Sequence, residues 1–265
     1  MKKMLLVLLA ALLAIGMAAC GAPVAQETPT AAPSTTTSAE PAVESTATST
    51  PEPVVFTDAV LEDKVREVMG KPTGDITVAE AETVVKLDLS NESFDDMNSQ
   101  NGGIRDISDL KYFTGMEELN LSYNDISDFA PLAELKSIEI LGFTGVCPKD
   151  LSVLKGLTNM TCMIFDWTWN EGSRQDENVS LDFISDMKNM EIFSACGGGI
   201  KDITALGGLT KIWSLYLDDN AITDISSLVN LTNLKELKLS KNPISDFSPL
   251  KDIYPKLEFS DFEMK

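Results

Sequence analysis

Residues 215–228 read Leu215-Tyr216-Leu217-Asp218-Asp219-Asn220-Ala221-Ile222-Thr223-Asp224-Ile225-Ser226-Ser227-Leu228, and this frame of apolar residues returns elsewhere in the chain. It starts again at Leu237, which is 22 residues after Leu215, and the same step separates Leu119 from Leu141. Seven copies begin at Leu87, Leu119, Leu141, Met163, Phe193, Leu215 and Leu237. A fixed period of this length indicates a chain built from stacked repeats.

Each copy has the pattern of a short strand followed by a turn and an irregular return. Leu215 and Leu217 alternate as the core-facing residues of a strand do, and the later apolar residues recur at every third position, which favours 3₁₀ or extended turns. One copy cannot bury its own apolar side, so the copies are stable only when stacked. The pattern predicts an α/β solenoid with short parallel strands on a concave face and a 3₁₀ or irregular convex side.

From about Val84 to Phe259 the frame resembles the internalin-type leucine-rich repeats of bacteria, with their 22-residue step. An asparagine five positions after the first leucine ends the strand, and its amide can satisfy backbone groups of neighbouring turns. This position holds Asn124, Asn220 and Asn242, whereas other copies have Glu92, Val146, Thr168 and Gly198. We therefore expect an asparagine ladder that is interrupted in the middle of the stack.

A helical segment precedes the repeats. Asp58–Met69 has an amphipathic helical pattern that Gly70 would end, and a second short helix is predicted for Val78–Thr83. The segment resembles the N-terminal cap of internalin-like proteins, which covers the core of the first repeat. We place the cap at residues 55–83 and the leucine-rich-repeat domain, of about seven repeats, at 84–265, with a last degenerate strand near Tyr254–Phe259.

The N-terminus has the features of an export signal. Lys2 and Lys3 precede a leucine- and alanine-rich run, which is typical of a secretory signal peptide. Met17–Gly21 resembles a lipobox, which predicts a signal peptide at residues 1–19 and acylation of Cys20; an ordinary signal peptide that contains a cysteine is the alternative. Residues 20–54 are rich in Thr, Ser, Pro and Ala and predict a disordered stalk. We expect a protein anchored by lipid to the extracytoplasmic face of the cell membrane.

Composition narrows the function classes. The 265 residues carry a formal net charge of −20, which opposes binding to nucleic acids and to anionic lipids. No histidine is present, so Ser-His and Cys-His catalysis is excluded, and we expect a protein that is not an enzyme and needs no cofactor. A glycosidase would need converging carboxylates, for example Asp166 with Asp218, and nothing else in the sequence supports this activity. Asp95, Asp96 and Asn98 lack the fixed spacing of a calcium loop, so no metal site is expected.

The predicted concave face offers a binding surface. In the register of the repeats, Ile140, Ile164, Ile192 and Tyr216 point outward in the middle of the sheet, while the residues towards its ends are charged. An apolar centre within a polar rim is a common composition of protein interfaces. The alternative is that these residues only favour strand formation. We take the four residues and Asp166 as candidates for partner binding.

Two repeats are longer than the others. The extra residues lie at roughly 91–103 and 170–179, and both stretches follow their strand directly. Insertions at one edge of a solenoid often mark its binding side. Trp167 and Trp169 precede the second insertion and are candidate anchors for a protein or a sugar. The alternative is that they pack against the insertion.

The three cysteines after Cys20 are expected to form no disulfide. Cys162 and Cys196 lie on adjacent predicted strands but at opposite ends, which is too far for a bridge. Cys147 leaves an odd number of thiols. All three are interpreted as small apolar residues.

The sequence as a whole predicts a binding protein held at the cell envelope. The resemblance to internalins implies a protein partner, and adhesion is one such role. A structural scaffold without a specific ligand and a glycan-binding module are the alternatives. The identity of the partner does not follow from fold analogy.

Overall fold

Eight short parallel strands form one sheet in the order of the sequence. The computed structural model describes residues 52–91, 103–166 and 179–264, which lie in the unit Pro51–Lys265. The predicted signal peptide, Cys20, and the predicted stalk before residue 52 lie outside the described residues. The strands are β1 Lys86–Asp88, β2 Glu118–Asn120, β3 Ile140–Gly142, β4 Cys162–Ile164, β5 Ile192–Ser194, β6 Ser214–Tyr216, β7 Glu236–Lys238 and β8 Phe259–Ser260.

The register confirms the seven predicted repeats. Leu87 is paired with Leu119, Leu119 with Leu141, and the leading residue of every later repeat with that of the next. β8 is the predicted closing strand and pairs with β7. The two long repeats therefore insert their extra residues without shifting the sheet.

Short 3₁₀ helices form the predicted return side of the repeats. Within the described residues they span Ser108–Tyr112, Ala130–Glu134, Ser152–Gly156, Asp182–Ile184, Thr204–Gly208, Ser226–Asn230, Ser248–Leu250 and Tyr254–Lys256. In six repeats an aspartate accepts the backbone N–H of the residue two positions later at 2.8 Å and so caps the turn. The capping residues are Asp106, Asp128, Asp150, Asp202, Asp224 and Asp246.

The core runs along the stack between the sheet and the 3₁₀ side. Its leucines and isoleucines are almost all inaccessible to solvent. A row of phenylalanines continues through the middle repeats: Phe143 lies edge-on to Phe129 and stacks on Phe165, with ring centroids 5.1 and 4.9 Å apart. Burial of these side chains supplies the main stabilising free energy.

The ladder asparagines are present where they were predicted. Asn220 donates to the carbonyls of Ala195 and Leu217 at 2.8 and 3.0 Å and accepts the N–H of Ile200 at 3.1 Å. Asn124 and Asn242 make the same kind of bonds. Each amide thus supplies hydrogen bonds that buried backbone groups would otherwise lack.

The N-terminal cap consists of two helices. α1 spans Ala59–Val68 and α2 spans Val78–Ala81, two residues shorter than predicted. Asp58 begins α1 and also accepts the backbone N–H groups of Arg105 and Asp106 at 2.8 and 3.0 Å, which joins the cap to the first repeat. Burial acts to raise the pKa of Asp58, but these backbone hydrogen bonds outweigh it and the pKa lies below its ordinary value. Neither described helix has the length and apolar character that crossing a bilayer requires.

Candidate interaction surface

The side of the sheet away from the core, termed the outer face, carries the predicted partner-binding residues. Ile140, Ile164, Ile192 and Tyr216 lie in the strands but outside the core cluster. The expectation that all four face solvent is wrong for the isoleucines, whose exposed fractions are only 8%, 9% and 3%. Tyr216 is half-buried.

The register supplies a physical reason for the burial of the isoleucines. Ile140, Cys162 and Ile192 occupy one row across β3, β4 and β5. Neighbouring strands lie about 4.8 Å apart, so bulky side chains in one row cover each other. Ile164 lies in the next row between Gly142 and Ser194. The middle of the outer face is therefore apolar and closely packed.

Asp166 and Asp218 converge on the end of β5. The Ser194 hydroxyl and the Cys196 backbone N–H both donate to Asp166 Oδ1 at 2.8 Å. The Cys196 thiol donates to Asp218 Oδ1 at 3.1 Å. Each carboxylate thus uses Oδ1 in bonds that fix its position, and no described residue donates a hydrogen bond to Oδ2 of either.

A second polar network lies one and two strands further on. Ser214 and Tyr216 donate their hydroxyl protons to Glu236 Oε2 at 2.9 and 2.6 Å. Burial and this hydrogen bond to Glu236 raise the pKa of Tyr216 to about 12. Lys238 Nζ lies 4.4 Å from the centroid of the Tyr216 ring and 5.9 Å from that of Phe259. Phe259 is 46% exposed, so aromatic surface reaches the solvent here.

Trp213 is a candidate for partner binding that was not predicted from the strand positions. It stands two residues before the leading leucine of its repeat and is half-buried. Five of the other repeats have polar residues at this position, namely Glu117, Glu139, Thr161, Glu191 and Lys235, and the first repeat has Val85. A tryptophan among mostly charged and polar residues is a signal visible in the sequence, but its position precedes the stretch from one before to three after the leading leucine, in which outward-facing strand residues were expected.

Cys162 and Cys196 are buried and form no disulfide within the described residues. Burial raises the pKa of the Cys162 thiol to about 12. Burial, followed by the charges of Asp166 and Asp218, raises the pKa of Cys196 still further. Cys196 is more than an apolar residue, because its thiol is a hydrogen-bond donor to Asp218.

Some predicted features fall outside the described residues. Trp167, Trp169 and most of both insertions lie there, as do Asp95, Asp96 and Asn98. Within residues 52–91, 103–166 and 179–264, no group of three or more Cys, Asp and Glu side chains is arranged to hold a metal ion.

A cavity of about 570 Å³ lies away from the strands. Its lining comes from the return segments 147–152 and 179–183 and mixes apolar with charged side chains, Leu151, Phe183, Lys149 and Asp182 among them. It shares no residue with the networks around Cys196 and Glu236.

Comparisons with known proteins agree with this architecture. The family model described as "Leucine Rich repeats (2 copies)" matches residues 214–252. The structure of internalin C2 from Listeria monocytogenes is similar at 27% identity, with a TM-score of 0.60 over 81% of this chain and 98% of that chain. No curated protein matches in sequence.

Two further structures have lower similarity. A leucine-rich-repeat protein of Leptospira interrogans is 21% identical, with a TM-score of 0.54 over 70% of this chain and 44% of that one. This likeness concerns the fold alone. Internalin F from Listeria monocytogenes is 24% identical, with a TM-score of 0.48 over 81% of this chain and 78% of that chain.

Proposed function

We propose that this chain, a leucine-rich-repeat protein with an internalin-like fold, is a non-catalytic protein of the bacterial cell envelope that binds a protein partner on its outer face. The observation that carries the proposal is Trp213, the aromatic residue in a row that holds polar residues in five other repeats and Val85 in the first. With Tyr216 and the exposed Phe259 it places three aromatic rings near the strands β6–β8. Aromatic side chains dominate the binding energy of protein interfaces.

The polar networks support a surface prepared for binding. The hydroxyl of Tyr216 donates a hydrogen bond to Glu236, and Cys196 donates one to Asp166 and one to Asp218. Side chains that are already fixed lose little conformational entropy when a partner binds. Preorganised polar groups on the repeats therefore support recognition of a partner better than a scaffold role, which needs only that the repeats stack on one another.

Catalysis has weaker support. A glycosidase needs two carboxyl groups that face each other across the bond to be cleaved. Asp166 and Asp218 instead both direct an oxygen to Cys196, which lies between them. This arrangement supports a binding role for the pair.

We further propose that a lipid on Cys20 anchors the protein at the extracytoplasmic face of the membrane, with residues 20–54 as a spacer. The lipobox-like stretch Met17–Gly21 supports this, and two or three acyl chains suffice for stable anchoring. Growth with radiolabelled palmitate should label the wild-type chain and not Cys20→Ser. Equal labelling of both would contradict the anchor.

Photo-cross-linking in the cells that make the protein tests the binding site. A benzoylphenylalanine in place of Trp213 should yield a discrete cross-linked protein. The matched control places the same group at Val229, which is 51% exposed on a 3₁₀ helix of the return side. Products of equal pattern and yield at both positions, or none at Trp213, would contradict an outer-face site.

A scaffold role is the second candidate, and the burial of Ile140, Ile164 and Ile192 favours it. If the apolar middle of the sheet serves only packing, the protein needs no ligand. In that case cells that make the Trp213→Ser variant should have the same cell-envelope properties as cells that make the wild type. A binding role requires that the variant lose the function of the wild type in the envelope.

A further inference from the structure

The outer face between β3 and β7 has an excess of negative charge. Five carboxylates lie in the strands, in the loops before them or directly after them: Glu139, Asp166, Glu191, Asp218 and Glu236. Among the described residues, no lysine or arginine comes within the 4.0 Å of an ion pair with any of the five. Lys235 is paired with Glu258 instead.

The aromatic rings at this face already accept a cation. The ammonium of Lys238 lies over Tyr216 at 4.4 Å and within 5.9 Å of the Phe259 centroid, without a carboxylate partner among the described residues. Ring faces attract cations through their quadrupole. Trp213, the better cation acceptor by type, has no such cation in the described part of the chain.

From these two observations we infer that the protein partner presents a segment rich in lysine or arginine, which docks across β4–β6 with a cationic side chain between Asp166 and Asp218. The inference rests on the proposed function and specifies the partner's chemistry. Carboxylates held on both sides of Cys196 can each offer Oδ2 to an ammonium or guanidinium group. Bonds between charged groups of this kind are stronger than neutral hydrogen bonds.

The charge of the face decides between partner classes. Five carboxylates and one lysine, none of them in an ion pair among the described residues, give this face a net negative charge, which repels nucleic-acid phosphates and anionic lipid surfaces and attracts basic peptide. The isoleucines of the same face contribute little to the contact, because almost none of their surface is accessible. Charge and aromatic rings, rather than a hydrophobic groove, therefore set the affinity.

A fluorescent peptide of alternating lysine and serine is the probe. The full chain in a non-ionic detergent should bind it, and added salt should weaken the binding. Asp166→Asn with Asp218→Asn should weaken it about tenfold. The asparagines keep an oxygen for Cys196 and Ser194, so the fold is retained, which thermal unfolding of the variant verifies.

The control pair is Asp252→Asn with Glu263→Gln, which removes the same formal charge from exposed positions elsewhere. It should weaken peptide binding by less than about twofold. Equal weakening by the two pairs would overturn the inference, because the attraction would then be to the net charge alone. Equal binding of a glutamate–serine peptide would overturn it as well.

The double variant, combined with cross-linking at Trp213, distinguishes failure of this inference from failure of the proposed function. If Trp213 cross-links to a partner and the Asp166→Asn, Asp218→Asn pair leaves the yield unchanged, the basic docking site is refuted and the binding role stands. If the peptide binds as expected but Trp213 captures nothing in cells, the charge preference stands and the proposed function fails.

Discussion

At the scale of single residues, the backbone conformation before the ladder position explains how the interrupted ladder is tolerated. Tyr123, Asp219 and Lys241 adopt positive φ angles of 60°, 59° and 55°, each immediately before a ladder asparagine. The left-handed conformation costs non-glycine residues about 1 kcal/mol. In these repeats the hydrogen bonds of the following asparagine offset that cost.

Two of the four repeats without the asparagine have glycine at the preceding position instead. Gly145 precedes Val146 and Gly197 precedes Gly198, and both glycines have φ of 74°. Glycine adopts this conformation without the steric penalty of a Cβ. The tight turn after the strand is thus preserved by two different chemical means.

Gly197→Ala should therefore lower the free energy of unfolding by about 1 kcal/mol. Gly156→Ala is the matched control, because φ is not positive there and the new Cβ would meet only the mobile end of Lys136, at 2.7 Å from Nζ. Urea unfolding of the two variants measures the difference. Equal stabilities would contradict the role of glycine at this turn.

At the scale of elements, the cap is locked against the first repeat at close range. A Cβ on Gly115 would lie 2.2 Å from the carbonyl oxygen of Glu82, just after α2. The Thr57 N–H also donates to Asp109 at 2.7 Å across the same junction. The cap thus docks through backbone contacts that leave no space for a side chain.

Gly115→Ala should force α2 and its following residues away and cost about 2 kcal/mol, the range of overpacking in a closely packed site. Gly208→Ala is the control, since its Cβ would meet only Lys188 Nζ, at 2.8 Å. Hydrogen exchange of α1 should accelerate in the first variant only. Unchanged protection of α1 would show that the cap docks differently.

The strands and their order could be predicted from the sequence, but the burial and the hydrogen bonds of the side chains could not. The leading leucines give the register directly because the repeat is periodic. The burial of Ile192 depends on which side chains occupy the same row in β4 and β6, and the convergence of Asp166 and Asp218 depends on a thiol in the strand between them. Such lateral contacts join residues that lie 22 to 30 positions apart.

At the scale of the whole molecule, the turn-capping aspartates make stability depend on pH. Backbone N–H groups, then hydroxyls, of Ser226 and Ser248 lower the pKa of Asp224 and Asp246 below the ordinary value of 3.8. A carboxyl group whose pKa is lower in the folded chain stabilises it at higher pH. That contribution is complete above the unfolded pKa and is lost as pH falls through the folded value.

The urea midpoint should accordingly fall as the pH is lowered below 3.8, and more weakly in Asp224→Asn with Asp246→Asn. Between neutral pH and the isoelectric point near 4.3, relief of repulsion among the acidic groups acts in the opposite direction. Asp252→Asn serves as control, because its carboxylate accepts no hydrogen bond from the described residues. An identical acid slope in the double variant and the wild type would refute the assignment.

The sequence by itself determined the repeat length, the register of β1–β7 and the positions of the ladder asparagines, because these follow from a period that each copy restates. Only the tertiary structure decided that the isoleucines of the outer face are buried, that Asp166 and Asp218 meet at Cys196, and that Trp213 is half-buried. These properties depend on lateral neighbours in adjacent repeats. A linear period shows which side chains share a row, but accessibility and hydrogen bonding arise only when the neighbouring rows are packed together.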